Sequence, residues 1–331
     1  MRFRFVCVWL TIWALVAPAT MAARELERFS LGGNAHLRLT DWARANDLNC
    51  HWLKREALLE LTNRAARLVL SVDSREARIN GVKVWLLHPL LLRGGEVFLG
   101  QVDADTTLRP LLFPSPNPSG VKIRTILLDP GHGGKDPGNR VGGKEEKKYT
   151  LLLAEELRQQ LQQAGFKVSL TRSTDSFIEL GQRPELARRR GADLFVSLHF
   201  NATAGNRDGA EGAEVYALTP GGASSTAAGG ASGGVTGPSA GNRFNAKNIL
   251  LAYQIQKSLL RHLPVADRGV RRARFAVLRD ATMPAVLIEG GFLTHPAEGK
   301  KIFDAAYRRD MARAIRDGIV AYQRLVERAA T

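Results

Sequence analysis

The sequence predicts an α/β protein: a twisted, mostly parallel sheet flanked by helices, preceded by a small α+β domain. Three observations carry this expectation. From Val121 onward, short apolar runs alternate with amphipathic helical stretches, the pattern of a sheet with crossover helices. Before residue 114, β-like runs are punctuated by Gly, Asp and Asn and show little helical periodicity. Between the two lies Phe113–Gly120 (FPSPNPSG), whose three prolines read as a connector. The expected divisions are an N-terminal segment 1–23, an accessory domain 24–113, a Pro-rich linker 114–120 and a larger domain 121–331.

In the accessory part, Ala66–Val72 (ARLVLSV), Lys83–Leu87 (KVWLL) and Glu96–Gly100 (EVFLG) read as strands, being apolar and β-branched between turn formers. Thr40–Asn46 (TDWARAN) reads as its one helix, with Thr40 or Asp41 as the N-cap. In the larger part, strands are expected at Thr125–Leu128, Lys167–Leu170, Leu194–Leu198, Ala213–Ala217, near Phe275–Leu278 and at Ala285–Ile288. Helices are expected at Glu146–Ala164, Arg183–Arg190, Ala246–Leu263 and Ala305–Glu327, where apolar residues recur at helical spacing. Thr219–Gly241 breaks the pattern. Of its 23 residues, 17 are Gly, Ala or Ser, so 219–241 reads as a flexible surface loop.

Composition narrows the function classes. A chain of 331 residues, 44% hydrophobic and 24% charged, can bury a large core, which excludes a mostly disordered protein. Two cysteines, Cys7 and Cys50, exclude a disulfide scaffold. The single long apolar run lies at the N-terminus, which excludes a polytopic membrane protein. Arg2 and Arg4, the apolar run Phe5–Val16 and the exit Ala17–Ala23 have the arrangement of a signal peptide, with cleavage after Ala19 or near Ala22 and Ala23. The competing reading is an uncleaved anchor, against which Pro18 and Thr20 speak. Cleavage leaves no stable membrane span, places the protein in the periplasm or at the cell wall, and leaves Cys50 alone.

The net charge of +15 is uneven, because residues 121–331 hold 32 Lys+Arg against 21 Asp+Glu. Nucleic-acid binding through Arg188, Arg189, Arg190, Arg268, Arg271, Arg272 and Arg274 is a rival reading of that charge. No aromatics are interleaved with these arginines, and an exported protein meets little nucleic acid, so no nucleic-acid partner is expected. An anionic substrate fits the charge better.

Four places carry chemistry. Asp129–Gly134 (DPGHGG) follows the strand TILL, and ligands of open α/β sheets bind at the carboxyl ends of strands. Glycines on either side let His132 approach a ligand closely; a plain turn is the blander reading, and neither phosphate-loop pattern fits the spacing. His199 ends the apolar strand LFVSLHFN, where a satisfied core histidine is the alternative. Glu145 and Glu146 open a helix, where the dipole alone favours acids. Glu146 shares its face with Leu153 and Leu157 and points at the sheet, whereas Glu145 falls with Glu156 nearer solvent. Glu289 follows the apolar strand PAVLI and precedes two glycines; a salt bridge to an arginine is the alternative. Taken together, two His and two Glu at one sheet edge fit three N/O metal ligands plus a carboxylate base. The absence of HExxH excludes a thermolysin-type helix site.

Asp129–Gly138 (DPGHGGKDPG), Glu146–Lys147 (EK), Ser197–Ala202 (SLHFNA) and Pro284–Leu293 (PAVLIEGGFL), in this order, resemble the zinc-dependent N-acetylmuramoyl-L-alanine amidases of the Amidase_3 family. The resemblance covers about Val121 to Val326. It implies one Zn2+ held by His132, Glu146 and His199, with Glu289 as catalytic base, so that 121–331 is a zinc amidase domain. It implies peptidoglycan as partner and hydrolysis of the bond between N-acetylmuramic acid and L-alanine of the stem peptide, in wall remodelling or daughter-cell separation. Asn201, Arg183 and Arg274 are the expected substrate contacts. A zinc-retaining but inactive wall-binding regulator is the alternative, and a zinc amidase for some other amide is a further one; whether an activator protein takes part stays open.

The chain departs from the family pattern in three places. It has Arg188 where many members have Asn, and Thr294-His295-Pro296 where many have Ser-Asn-Pro. It also carries the Gly/Ala/Ser loop where some carry an autoinhibitory helix, and such a composition makes a poor helical plug. In the accessory part, Ile79–Val82, Trp85–Pro89, Val97–Leu99 and Leu108–Leu112 are similar to the small N-terminal domain of copper amine oxidases. That similarity implies a wall-targeting or protein-binding module, with a structural appendage as the alternative.

Overall fold

The computed structural model describes residues 26–203, 209–227 and 237–328. The segment 1–23, expected to be a signal peptide, and the middle of the Gly/Ala/Ser loop, 228–236, lie outside the described residues. The accessory part runs β1 (Arg28–Leu31), β2 (Asn34–Arg38), α1 (Leu39–Ala45), β3 (Asn49–Lys54), β4 (Leu58–Thr62), β5 (Arg67–Ser71), β6 (Glu76–Ile79), β7 (Val82–Trp85), β8 (Leu91–Arg93) and β9 (Glu96–Gly100). A helical stretch follows as α2 (Gln101–Asp103), a π turn over Ala104–Leu108 and α3 (Arg109–Leu112). The larger part runs β10 (Thr125–Pro130), β11 (Arg140–Val141), β12 (Lys144–Glu145), α4 (Glu146–Gln163), β13 (Lys167–Leu170), α5 (Gln182–Arg189), β14 (Leu194–Asn201) and β15 (Ala213–Leu218). It ends with α6 (Asn245–His262), β16 (Asp267–Ala273), α7 (Ala276–Arg279), β17 (Ala285–Phe292), α8 (Pro296–Phe303) and α9 (Ala305–Glu327).

Among the described residues one sheet holds eleven strands, ordered β13-β10-β14-β17-β15-β16-β7-β6-β5-β4-β3. β13, β10, β14 and β17 run parallel, as do β15 and β16, and β15 meets β17 antiparallel. Strand β7 joins β16 in parallel and carries the sheet into the antiparallel accessory strands. A separate four-stranded sheet, β1-β2-β9-β8, completes the accessory part. α4, α6 and α9 cover one face, and a single apolar cluster runs from Leu37 to Val326 beneath them. α5 and α7 cover the other face over a smaller cluster that includes Phe195, Tyr216 and Leu287.

Three expectations are corrected. The strand expected near Phe275–Leu278 is α7; the strand lies earlier, at Asp267–Ala273 (DRGVRRA). Its arginines hid it, because Arg271 and Arg272 are buried in the sheet rather than turned outward. Helix α1 starts at Leu39 with Arg38 before it and no side-chain cap, so neither Thr40 nor Asp41 caps it; Asp41 instead pairs with Arg38 at 3.1 Å. The accessory part also has a second helical stretch, Gln101–Leu112, whose apolar face shares the main core through Ala104 and Leu108. The Pro-rich segment is tied down: Asn117 donates its N–H to Val326 O at 2.6 Å and Lys247 Nζ donates to Ser115 O at 2.6 Å.

Candidate active site

The site forms at the carboxyl ends of β10, β14 and β17, where the start of α4 adds Glu146. Asp129 anchors it from below. This carboxylate is fully buried, with Oδ1 accepting from Thr171 Oγ1 at 2.7 Å and Arg183 Nη1 at 2.9 Å, and Oδ2 accepting from Ser197 Oγ at 2.8 Å. It therefore ties β10 to β14 three residues before His132 and two before His199. Two buried arginines then fix the loop that follows. Arg172 donates to the carbonyls of Pro130 and Gly131, and Arg183 to those of Pro130 and His132. Held this way, His132 sits at φ +63°, a left-handed conformation that a non-glycine residue adopts only when its surroundings impose it.

Gly131 is required by close approach: a Cβ there would lie 2.2 Å from Cε1 of His199. Gly138 likewise backs onto His132 and Glu146, with a Cβ placed 2.6 Å from the His132 ring. The short β11–β12 hairpin returns the chain to the start of α4, where Glu146 N–H donates to Asn139 O at 2.9 Å. Glu146 is 1% exposed, on the same inward face as Leu153 and Leu157. Its Oε1 lies 3.0 Å from His132 Nε2 and 3.2 Å from His199 Nδ1 and accepts the Phe200 N–H at 3.0 Å. Its Oε2 accepts the backbone and side-chain N–H groups of Asn139 at 3.0 and 2.8 Å.

One ligand atom each from His132, Glu146 and His199 lies within 4.8 Å of the others, a group that could hold a metal ion. The rings of His132 and His199 meet edge to face at 4.8 Å between centroids. His132 Nδ1 lies 2.8 Å from Asp136 Oδ2, which orients the ring and turns Nε2 toward Glu146. Burial works against charge on Glu146, yet the two imidazoles outweigh it and hold the carboxyl well below its usual range. Burial also works against a charged His132, but Glu146 and Asp136 raise its proton affinity overall.

Glu289 lies beside this group. In the sheet register His199 pairs with Glu289, and Glu289 pairs with Glu214 on β15, so the three form one row. Burial, then the charges of Glu146 and Glu214, push the Glu289 carboxyl well above the usual range. Its Oε2 is a buried oxygen with no hydrogen-bond partner among the described residues. A row of acids, one of them orphaned, beside two histidines is a donor set short of positive charge, and a divalent cation fits it.

The expected substrate contacts fare differently. Arg183 is 2% exposed, and its guanidinium is spent on Asp129 and on the carbonyls of Pro130, His132 and Ile178, so it is turned away from substrate and positions His132. Arg274 also turns inward, donating Nη2 to the carbonyls of Pro220 and Ala223 with Nη1 buried. The arginine set read as a surface patch is broken up in the same way. Arg272 is fully buried, Arg271 is 8% exposed, and Arg188 and Arg189 are engaged by Glu185. Asn201 is half-buried at the end of β14, with Nδ2 donating to Glu214 Oε1 at 2.8 Å. His295 caps α8 by accepting the Glu298 N–H. Sequence reasoning missed Asp129, Arg172, Asn139 and Glu214 as organisers of the site. Asp129 and Asn139 lie in or beside the glycine-rich motif, and Glu214 breaks an otherwise apolar strand, so these three left a readable mark and Arg172 left none.

Residues 126–321 match the family profile described as N-acetylmuramoyl-L-alanine amidase. The chain belongs to the Amidase_3 family. It is 40% identical over 221 residues to the N-acetylmuramoyl-L-alanine amidase AmiC of Neisseria meningitidis, covering 60% of this chain and 52% of that protein. It is 36% identical over 232 residues to AmiA of Escherichia coli, covering 63% of this chain and 79% of that protein. Among solved structures, the amidase of Clostridium difficile 630 matches with a TM-score of 0.50 at 32% identity, over 61% of this chain and 97% of that one. AmiC2 of Nostoc punctiforme matches at 0.50 and 33%, over 61% and 98%. The match thus spans about half of the Neisseria relative, and the accessory strands lie outside the family profile.

Proposed function

We propose that this chain hydrolyses the amide joining N-acetylmuramic acid to L-alanine of the stem peptide in peptidoglycan, using one zinc ion held by His132, Glu146 and His199. The observation that carries the reading is the convergence of these three residues with the orphaned Glu289 carboxylate beside them. When bound, zinc supplies a Lewis acid that acidifies water and polarises a carbonyl. Glu289 takes the proton of the attacking water and passes it to the leaving amine of L-alanine. Asp129, Arg172 and Arg183 hold the loop so that His132 needs no rearrangement. Asn201 is the substrate-facing polar group, its amide fixed by Glu214.

The chain is read as exported, with residues 1–23 as a signal peptide, and as acting in the periplasm or wall during remodelling or cell separation. The accessory part is read as a targeting or protein-binding module. The test is Glu289→Ala, assayed for zinc content and for digestion of purified peptidoglycan with and without a chelator. We expect full zinc content, loss of at least about a thousandfold in rate, and stem peptides beginning at L-alanine from the wild type alone. A wild-type protein that binds zinc and wall but releases no peptide would favour the inactive-regulator reading.

A further inference from the structure

Among the contacts that join the accessory part to β16, one side chain reaches the arginines beside the candidate site. Trp85, at the end of β7, donates its indole N–H to the carbonyl of Arg268 at 2.8 Å. The guanidinium of Arg271 lies over the same indole ring, 4.4 Å from its centroid. Both arginines then converge on one buried carboxylate. Arg271 Nε lies 2.7 Å and Arg268 Nε 3.1 Å from Glu214 Oε2. Glu214 is 1% exposed, and its other oxygen accepts from Asn201 Nδ2 at 2.8 Å and from Tyr216 Oη at 2.9 Å. In register, Glu214 stands directly beside Glu289.

We propose that Trp85 is a positioning residue for the amidase reaction: it holds the Arg271 guanidinium and the Arg268 main chain so that both cations meet Glu214, and Glu214 in turn sets Asn201 and the floor beside Glu289. The proposal rests on the functional reading above. The physical case is that Glu214 and Glu289 are two carboxylates facing one another on adjacent strands. Two like charges at that spacing separate unless one is matched by cations, and only Glu214 has them. A guanidinium is a long, flexible group, and holding two of them on one carboxylate requires fixed partners. The indole face restrains the Arg271 guanidinium directly, and its N–H fixes the backbone from which Arg268 extends, while the Arg268 guanidinium lies over the Phe292 ring at 4.8 Å. Thr226 O adds a third restraint, accepting from Arg271 Nη1 at 2.7 Å. The accessory part then does more than dock elsewhere: it completes a site whose ligands all come from the larger part.

The test compares four full-length variants on a soluble muramyl-peptide substrate. Trp85→Ala removes both restraints. Trp85→Phe keeps a ring for Arg271 and loses the donor to Arg268. Tyr253→Phe is the control, because Tyr253 Oη donates across the same seam to Ile79 O at 2.9 Å without reaching Glu214. Glu289→Ala reports on the reaction itself. We expect W85A to lower kcat about tenfold with KM within about twofold and zinc content unchanged. W85F should fall between W85A and wild type, and Y253F should keep the wild-type kcat. A W85A kcat within twofold of wild type overturns the proposal, as does an equal fall in W85A and Y253F. If W85A does not fold, W85F decides, and a wild-type kcat there overturns the proposal. Full activity in E289A would instead overturn the functional reading and leaves the Trp85 comparison to be judged on its own values.

Discussion

Arg183→Met tests whether the buried guanidinium under the site is structural. In the wild type, Arg183 Nη1 lies 2.9 Å from Asp129 Oδ1, with the two side chains 2% and 0% exposed. Removing the cation leaves Asp129 with only the hydroxyls of Thr171 and Ser197. Breaking a buried pair by deleting one partner costs about 3–5 kcal/mol, because a buried charge is left uncompensated. The carbonyls of Ile178, Pro130 and His132 also lose their donor, which adds to the loss though not additively. At about 2 °C per kcal/mol for a chain of this size, the melting temperature should fall by roughly 8 °C. Arg183→Lys keeps the charge but loses the fork, so a loss of about 2 kcal/mol is expected. Denaturant titration gives the stability, and kinetics on soluble muramyl peptide gives KM. The His132 loop should slacken in R183M, so kcat should fall while KM stays near wild type. A KM raised tenfold with stability unchanged would restore Arg183 as a substrate contact and refute this reasoning.

Two further predictions concern the metal group. Gly131→Ala places a methyl 2.2 Å from Cε1 of His199, so zinc affinity measured against a chromophoric chelator should fall by about 10–100-fold; wild-type affinity would show that the loop yields. In the metal-free chain, Glu146 is held below its ordinary value of 4.5 and His132 above its ordinary value of 6.5. Stability from Glu146 is present above its ordinary value and lost as pH falls through the depressed one; stability from His132 is present below 6.5 and lost as pH rises through the raised value. The melting temperature in chelator should therefore peak between pH 4.5 and 6.5, whereas the zinc-loaded chain should gain toward about pH 8, because the ligands bind deprotonated. A His132→Gln variant that kept the alkaline fall of the chelated wild type would refute the assignment.

Much of the catalytic half was legible because its local signals agree with its fold. Lys167–Leu170 and Ala305–Glu327 have the bounds their periodicity predicts, and four ordered motifs marked the residues that converge. What escaped is the buried charge. β16 escapes a periodicity reading because Arg271 and Arg272 lie inside the strand and are buried, and Arg183, expected at the substrate, is buried too. Burying an arginine is expensive unless its donors are met, and the acceptors that meet them come from distant segments: Thr106 for Arg272, Asp129 for Arg183, Ala223 for Arg274. No local pattern reports such a pairing. The accessory helix over Gln101–Leu112 escaped for a related reason: Thr106, Thr107 and Pro110 depress its local propensity, and packing of Ala104 and Leu108 on the main core overrides them.

The seam between the two parts follows from the needs of β16. Without β7, β16 would end the sheet, presenting unpaired backbone groups beside the catalytic floor. β7 covers it with few ladder bonds, since Val270 opposite Val84 is the one register pair, so side chains complete the junction. Asp267 accepts the Lys83 N–H at 2.8 Å, and Trp85 reaches Arg268 O. Arg272, on the opposite face, is fully buried and donates to Leu218 O in the catalytic part and to Thr106 O in the accessory helix. Burial lowers its pKa to about 10, with Asp103 opposing that shift. A cation in that position is tolerable only while both sets of carbonyls stay in place. The two parts are thus bound by a buried charge as well as by shared apolar surface. The strand that must not fray, β16, is the one whose arginines balance the acid beside Glu289, which gives the accessory part a reason to be attached at this edge.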